Sequence, residues 1–519
     1  MNRAPLAGRR AVLGRGLAAG LAWPMLLRHG RGHANEDRFA LGVASGQPQP
    51  AGVVLWTRLV GAGLGDRVPV RWEVAEDEAF SRIAARGADV ALADDAHSVH
   101  AEVSGLASDR VYWYRFGADG QRSRVGRTRT APAPDATVAR LSFVAASCQR
   151  WDVGHYAAWR DAIAGEPDLV LFLGDYIYEY ASRPDAPRRH AGGLTRTLAD
   201  YRLRHAEYKT DPLLQAAHAA APWLLVWDDH EVDNDYAGLT GQSLQADFAA
   251  QRSAAYRAYW EHMPLPRSAR PAADGTMPMF GRLDWGRLAR IHRLDNRQHR
   301  DVQACPRPGR AGSNTLPLAD CPQMADPSRT MLGAAQERWL ADGWSLERPW
   351  NLLAQQTLLS RFSWSAIDAA ATGTTGSTGT FWTDGWDGYP AARQRLLDVV
   401  AQRRVPGLVV LGGDVHCHCV SQVLEDYGRP GGRVLGAEFA GTSISSAGLA
   451  QDRVSRAQGF NPHVLHARSD QRGCLRGTLT PDRLEMDLRT VADVLDPSCP
   501  ATSQARFVVE AGRPGVQRA

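Results

Sequence analysis

The chain has 519 residues, of which 44% are hydrophobic and 22% are charged. This length exceeds what one compact core usually supports, so we expect two domains, and the composition excludes large-scale disorder. The formal net charge of +4 becomes −2 without residues 1–34, because 54 basic residues then face 56 acidic ones. The charge balance therefore predicts no nucleic-acid-binding patch.

Residues 1–34 have the pattern of a twin-arginine signal peptide. Arg9 and Arg10 precede a weakly apolar stretch at 16–27 and a small-residue end at 32–34. The apolar stretch is too short and too rich in glycine for a membrane span. We therefore predict a periplasmic or secreted protein with no stable membrane span after signal removal. The alternative is an arginine-rich, disordered N terminus.

Residues 35–135 contain short runs with the alternation of half-buried strands. Such runs lie at 52–57, 68–74, 98–103 and 111–116, and Gly, Asp and Pro turns separate them. This spacing favours a small β-sandwich of the immunoglobulin or fibronectin type. Its predicted role is packing and orientation, with substrate recruitment as the alternative.

From residue 136 onward, strands alternate with longer helical stretches, which is typical of an α/β domain. We predict helices at 154–164, 201–208, 248–262, 334–341 and 391–401, and strands near 141, 169, 223, 350 and 407. Two predicted hairpins, 277–294 with its turn at 284–286 and 474–488 with its turn at 480–482, make the sheet mixed rather than parallel. A Gly/Thr/Ser-rich loop is predicted at 370–380. The predicted catalytic domain is thus 136–519, after an N-terminal domain at 35–135.

Seven cysteines suit an exported protein, and their odd number leaves at least one thiol without a disulfide partner. Cys305 and Cys321 flank a Pro/Gly/Arg-rich loop, and Cys474 and Cys499 flank a C-terminal hairpin. Each pair is a candidate disulfide in an oxidising compartment.

Candidate metal ligands follow the ends of four apolar runs. They are Cys148 after 141–146, Asp175 and Tyr178 after 168–173, Asp229 and His230 after 223–227, and Asp414 and His416 after 407–412. Open α/β sheets bind ligands beyond their strand ends. We therefore expect these side chains to converge on a two-metal hydrolase site.

Each of these residues, taken alone, has a plainer interpretation. Asp175 fits a helix N-cap, Tyr178 a core aromatic, and Cys148 a buried small hydrophobe. Short motifs also match by chance. Four strand ends in series, each followed by a thiolate, oxygen or imidazole ligand, nevertheless favour the metal site.

The series resembles the calcineurin-like metallophosphoesterases and, more closely, the exported PhoD-type alkaline phosphatases and phosphodiesterases, which are similar to purple acid phosphatases at the metal site. The resemblance extends over almost the entire chain. Besides the clusters it includes Ser147-Cys148-Gln149, Leu294 to Gln298, Gln336 to Leu340, Trp386 to Arg393 and Glu438 to Ile444. It implies a metallophosphoesterase β-sandwich flanked by helices, preceded by the small all-β domain.

The resemblance also implies the metals and their ligands. Fe(III) would be bound by Cys148, Asp175, Tyr178 and His416, and a second metal by Asp175, Asp229 and Asp414, with Asn234 as a further candidate ligand. Carboxylate oxygens favour Ca²⁺ at the second site, with Mg²⁺, Mn²⁺ and Zn²⁺ as alternatives.

The implied reaction is hydrolysis of a phosphate ester by a hydroxide held at two cations about 3.5 to 4 Å apart. His230 resembles the family histidine that contacts the phosphate or protonates the leaving alkoxide. Arg297 and Arg300 suit the geometry of phosphate oxygens. The alternative for both arginines is a salt bridge to Asp295 or Asp301.

The predicted function is therefore an exported alkaline phosphatase with phosphodiesterase activity. We expect a monomer that acts on small phosphate esters, with phospholipid or teichoic-acid-like diesters among the candidate substrates. The alternatives are a phospholipase D-type phosphodiesterase and a non-catalytic surface binding protein. The complete ligand set argues against the latter, because drift would be expected to remove at least one ligand.

Overall fold

Two large β-sheets organise the chain in the computed structural model, which describes residues 37–366, 379–429 and 431–519. The predicted signal peptide and most of the predicted loop at 370–380 lie outside the described residues. No helix in the described ranges is long and apolar enough to cross a membrane.

The first part of the chain forms only strands and short turns. These strands are β1 (Val43–Gln49), β2 (Gly52–Arg58), β3 (Arg67–Ala75), β4 (Ile83–Leu92), β5 (Ser98–Ser104), β6 (Val111–Ala118), β7 (Gln121–Arg122) and β8 (Gly126–Arg129). The four predicted strands correspond to β2, β3, β5 and β6 and are confirmed.

Strands and helices alternate in the next part of the chain. They are β9 (Leu141–Ala146), α1 (Ala157–Ala164), β10 (Leu169–Leu173), α2 (Leu198–Lys209), α3 (Pro212–Ala220), β11 (Pro222–Val226), α4 (Phe248–His262), β12 (Gly281–Trp285), β13 (Ala289–Arg293), β14 (Thr315–Pro317), α5 (Gly333–Gly343) and β15 (Trp350–Ala354).

The remaining elements complete both sheets. They are β16 (Thr380–Trp382), α6 (Pro390–Arg403), β17 (Leu408–Gly412), β18 (His418–Leu424), β19 (Val434–Ala440), α7 (Gln451–Gln458), β20 (Val464–Arg468), β21 (Arg472–Leu479), β22 (Arg483–Val491), β23 (Ala501–Glu510) and β24 (Gln517–Arg518). The five predicted helices are confirmed as α1, α2, α4, α5 and α6.

The ten-stranded sheet has the order β24-β23-β22-β21-β9-β10-β11-β1-β2-β5. Strands β9, β10 and β11 are parallel, whereas β21 and β22 are antiparallel, so the predicted mixed sheet is confirmed. Every residue of β10 and β11 is buried. This explains their uninterrupted apolar sequence, because strands of a parallel sheet are covered on both faces.

The seven-stranded sheet has the order β12-β13-β15-β17-β19-β18-β20. Side chains from β9 to β11 and from β15, β17 and β19 belong to one hydrophobic core, so the two sheets pack on each other. The carboxyl ends of β9, β10, β11 and β17 carry the predicted ligands.

The N-terminal strands divide between two sheets. β1, β2 and β5 extend the ten-stranded sheet, because β1 pairs in parallel with β11, while β3, β4, β6, β7 and β8 form a separate sheet. Side chains from both groups of strands share one hydrophobic core. Asp37–Ala519 is one compact unit. The division at residue 135 and the immunoglobulin-like character stay predictions.

Two features differ from the sequence-based expectation. The predicted turn at 284–286 lies at 286–288, because Asp284 and Trp285 still pair with Arg290 and Ala289. Helix α3 was not predicted, although its start has a clear signal: Asp211 caps two backbone N–H groups and a proline follows it.

One of the two predicted disulfides is confirmed. Cys305 and Cys321 form a disulfide, whereas Cys474 and Cys499 remain free thiols. Both free thiols are buried in the large core, where a cysteine packs as a small apolar side chain. The second predicted disulfide is therefore wrong.

We expect the double substitution Cys305→Ser/Cys321→Ser to destabilise the segment that the disulfide closes. The bond joins residues that are 16 apart in sequence. Its loss raises the chain entropy of the unfolded state and so lowers the free energy of unfolding by about 3 kcal/mol. Limited proteolysis should cut 306–320 in the variant and in reduced wild type, but not in oxidised wild type. Cys499→Ser is the control, and equal protection of all four samples would contradict the prediction.

Candidate metal centre

The predicted ligands meet at one edge of the two packed sheets. Cys148 follows β9, Asp175 and Tyr178 follow β10, and Asp229 follows β11. The loops after β9 and β10 are joined by backbone hydrogen bonds, from Cys148 N to Gly174 O at 3.0 Å and from Gln149 N to Asp175 O at 3.0 Å. The convergence of strand ends thus follows from the parallel register.

Four of the predicted ligands have a left-handed backbone conformation. The φ angles are 60° at Cys148, 59° at Asp175, 62° at Asp414 and 49° at His416. Non-glycine residues rarely adopt this region, and such strain, on the order of 1–3 kcal/mol per residue, concentrates at functional sites. The fold therefore maintains a costly backbone at the points where these side chains leave the strands.

The first ligand cluster contains a thiol, a carboxylate and an imidazole. Ligand atoms of Cys148, Asp175 and His416 all lie within 4.8 Å of one another. The Tyr178 hydroxyl donates to Asp175 Oδ2 at 2.9 Å and lies 3.2 Å from His416 Nε2. All four residues predicted for the iron site are thus brought together.

The second cluster shares Asp175 with the first. Ligand atoms of Asp175, Asp229 and His230 lie within 4.8 Å of one another, so His230 stands directly beside the predicted second metal site. Asp414 contributes charge to the same region. The backbone N–H of Asn234 donates to Glu179 at 2.9 Å, and the ligand role of the Asn234 amide stays a prediction.

A buried arginine neutralises part of this acidic region. The guanidinium of Arg297 forms ion pairs with Asp228 and, at 2.8 Å, with Asp384, and it lies 3.6 Å from Asp229. Arg300 also pairs with Asp384. Both arginines are therefore held by carboxylates, but by different ones from Asp295 and Asp301. The phosphate contact of Arg297 stays a prediction.

Several buried carboxylate oxygens have no hydrogen-bond donor among the described residues. They are Asp175 Oδ1, Asp228 Oδ2, Asp229 Oδ1 and Asp414 Oδ2. Burial raises the pKa of Asp175 well above its usual value, with Asp229 adding to the effect and His230 opposing it. Burial raises the pKa of Asp414 in the same way, against the charge of Arg297. Such carboxylates fit cations, which would supply the missing positive charge.

The softer donors lead to the same conclusion. Burial and the adjacent Asp175 raise the pKa values of the Cys148 thiol and the Tyr178 phenol well above their usual values. A coordinated cation reverses this effect, because a metal-bound thiol loses its proton. The donor set thus fits a metal that accepts sulfur, phenolate and imidazole together.

The His416 ring is oriented for coordination through one nitrogen. Its Nδ1–H donates to the carbonyl oxygen of Ala447 at 2.7 Å, which leaves Nε2 facing the cluster. Burial lowers the pKa of His416 to about 4, so the ring is neutral. A hydrogen bond from the remote nitrogen to a carbonyl is the usual way to orient a histidine ligand.

Glu231 connects the loops that carry the ligands. Its buried carboxylate accepts hydrogen bonds from the backbone N–H groups of Asp175 at 3.1 Å, Tyr176 at 2.6 Å and Asp228 at 2.8 Å. Gly174 permits the close approach, since its φ is 103° and a Cβ there would lie 2.4 Å from Asp228 Cβ. One side chain therefore sets the separation of the β10 and β11 loops.

Glu179 orients His230. The Nδ1–H of His230 donates to Glu179 Oε2 at 2.7 Å, and the imidazole packs on the Tyr178 ring with centroids 4.2 Å apart. Burial works to lower the pKa of His230, but the carboxylates of Glu179, Asp229 and Asp175 raise it well above its usual value.

Sequence reasoning assigned no role to several of these residues. Glu231 lies within a recognised motif, and Asp384 stands two residues before another, so proximity to the motifs was the available signal. Glu179 directly follows Tyr178. Ser446, whose Oγ lies 2.8 Å from the Tyr178 hydroxyl, stands two residues after the motif that ends at Ile444.

We expect Glu231→Ala to destabilise the metal-free protein by about 3 kcal/mol or more, because three buried N–H groups lose their acceptor at about 1–3 kcal/mol each. Metal content should fall as well. Glu231→Gln keeps one acceptor oxygen and should be intermediate. Thermal unfolding and elemental analysis measure the two effects.

The matched control is Glu485→Ala, since Glu485 is half exposed and pairs only with Arg483 among the described residues. The control should behave as wild type. A Glu231→Ala protein with wild-type stability and metal content would contradict the assigned role of Glu231.

Known proteins are similar to this chain over nearly its whole length. The sequence profile of the PhoD-like phosphatase family matches residues 143–488, and that of the PhoD-like phosphatase N-terminal domain matches residues 26–132. The chain is 38% identical to alkaline phosphatase D of Bacillus subtilis (strain 168) over 536 aligned positions, which cover 98% of this chain and 88% of that protein.

A solved structure of PhoD superimposes on the chain with a TM-score of 0.86 and 39% sequence identity, covering 93% of this chain and 92% of the other. The family profile spans all of the ligand loops described above. The chain belongs to the PhoD-like phosphatase family.

Proposed function

We propose that the chain is an exported, metal-dependent phosphate-ester hydrolase, an alkaline phosphatase with phosphodiesterase activity. One observation carries the proposal: a thiol, a phenol, an imidazole and carboxylates that lack donors converge at a single buried centre. The similarity to alkaline phosphatase D supports the reaction class. We also propose that the fold is that of the metallophosphoesterases, with an immunoglobulin-like N-terminal domain.

The donor chemistry supports two different metals. Cys148, Asp175, Tyr178 and His416 would hold Fe(III), since thiolate and phenolate are anionic donors that stabilise the oxidised ion. Asp175, Asp229 and Asp414 would hold Ca²⁺, because their donors are carboxylate oxygens. Bound cations would polarise the phosphate ester and lower the pKa of the attacking water.

The residues around the metals have separate tasks in this proposal. His230, which Glu179 orients and whose pKa Glu179 helps to raise, would bind a phosphate oxygen or donate its proton to the leaving alkoxide. Arg297 stabilises the ionised forms of Asp228 and Asp384. Glu231 maintains the spacing of the ligand loops, so that the donors are already positioned when the metals bind.

Hydrolysis of an aryl phosphate monoester and an aryl phosphate diester at alkaline pH, with added calcium, tests the proposal. We expect both to be hydrolysed, with activity lost on chelation and restored by calcium. The faster ester decides between phosphatase and phosphodiesterase as the main activity. Protein with bound iron that hydrolyses neither ester would overturn the proposal.

We expect Asp175→Asn to abolish activity, because this carboxylate belongs to both ligand clusters and its loss separates the two metals. The matched control is Asp185→Asn, an exposed carboxylate near the same loop that pairs with Arg183. Rates and metal content should be measured for both variants. Full activity of metal-replete Asp175→Asn protein would refute the assignment of the site.

A further inference from the structure

A cavity of about 390 Å³ adjoins the metal centre and shares Asp414 and His416 with it. Most of its remaining wall is apolar or aromatic, formed by Leu358, Phe362, Trp364, Trp382, Val415 and Leu449. A group bound in this cavity would therefore touch the metal ligands at one end and ring faces at the other. This position is open to one arm of an ester whose phosphate lies at the metals.

Two of the three tryptophans that line the cavity, Trp364 and Trp382, are positioned by the backbone. The backbone N–H of Trp364 donates to the carbonyl oxygen of Thr380 at 2.8 Å, and Trp382 lies two residues after Thr380 in β16. Phe362 packs edge-on against Trp364, with ring centroids 5.0 Å apart. Both tryptophans are only half buried, so part of each indole remains exposed for contact.

The cavity also has a cationic side chain at its rim. The Arg453 guanidinium lies over the Trp364 ring, 4.7 Å from its centroid, and no ion pair of Arg453 with a described carboxylate is found. Asp387, which also lines the cavity, is already paired with Arg393 at 2.6 Å. The charge of Arg453 is thus available to an anionic or acceptor group of a ligand.

From this geometry we propose that the cavity binds an aromatic ring on one arm of the phosphate ester, with an acceptor or anionic substituent of the ring facing Arg453. The inference rests on the proposed hydrolase function. Flat aromatic rings stack on indole faces, and the half-buried indoles of Trp364 and Trp382 offer such faces in the cavity. A saturated acyl chain would fill the same space, but it would displace water that hydrogen-bonds to Arg453 and offer the guanidinium no acceptor in return.

Binding of non-hydrolysable phosphonates to the metal-loaded full chain tests the assignment independently of turnover. We expect phenylphosphonate to bind about 10-fold more tightly than ethylphosphonate, from stacking and buried ring area. Trp364→Leu and Trp382→Leu should each reduce this ratio without changing metal content. Trp339→Leu is the matched control, because this half-buried tryptophan packs on Phe280 and Arg282 away from the cavity.

Arg453 is tested with 4-carboxyphenylphosphonate. Wild type should prefer it to phenylphosphonate by about 3-fold, as expected for an exposed ion pair, and Arg453→Gln should remove the preference. Equal binding of phenyl- and ethylphosphonate by wild type, or a ratio unchanged in both tryptophan variants, would overturn the aromatic-arm proposal. Hydrolysis assays on the same preparations report separately on the proposed function.

Discussion

The hydrogen bonds accepted by Glu231 are the constraint on which the metal centre depends. Its carboxylate binds backbone N–H groups of two loops that follow neighbouring parallel strands, and both loops carry metal ligands. Backbone groups cannot reorient as side chains do, so this contact defines where Asp175 and Asp229 leave the sheet. The left-handed backbone at Cys148 and Asp175 persists because the surrounding structure determines it.

Charge explains why the centre fits metal ions. Arg297 neutralises Asp228 and Asp384 from within the chain, whereas Asp175 and Asp414 retain buried oxygens without donors. Buried carboxylates that lack a partner are costly, and an external cation offsets that cost most directly. Some buried carboxylates are thus neutralised by an arginine of the chain, whereas others would be neutralised by bound cations. The aromatic cavity beside Asp414 then extends the same centre toward the organic part of a substrate.

Local patterns predicted most of the elements. Helix α4 occupies the predicted range, and β10 and β11 are the apolar runs before the acidic clusters, since helical periodicity and buried strands are visible in short windows. The pairing of β1 with β11 was not predictable in this way, because the two strands are separated by more than 170 residues. The disulfide predicted between Cys474 and Cys499 was wrong for a similar reason. Spacing along the chain does not show where folding places each sulfur, and both thiols lie in the large core.

The sequence by itself showed that thiol, carboxylate, phenol and imidazole side chains follow apolar runs, and it predicted strands before residue 135 and alternating strands and helices after it. It did so because strand ends and ligand types are local properties. Only the tertiary structure decided which groups hold the site residues in place. Glu179 orients His230, Glu231 connects the two ligand loops, and Asp384 pairs with Arg297. These contacts join residues distant in sequence, or depend on where side chains point after folding. Neither property can be read from spacing along the chain.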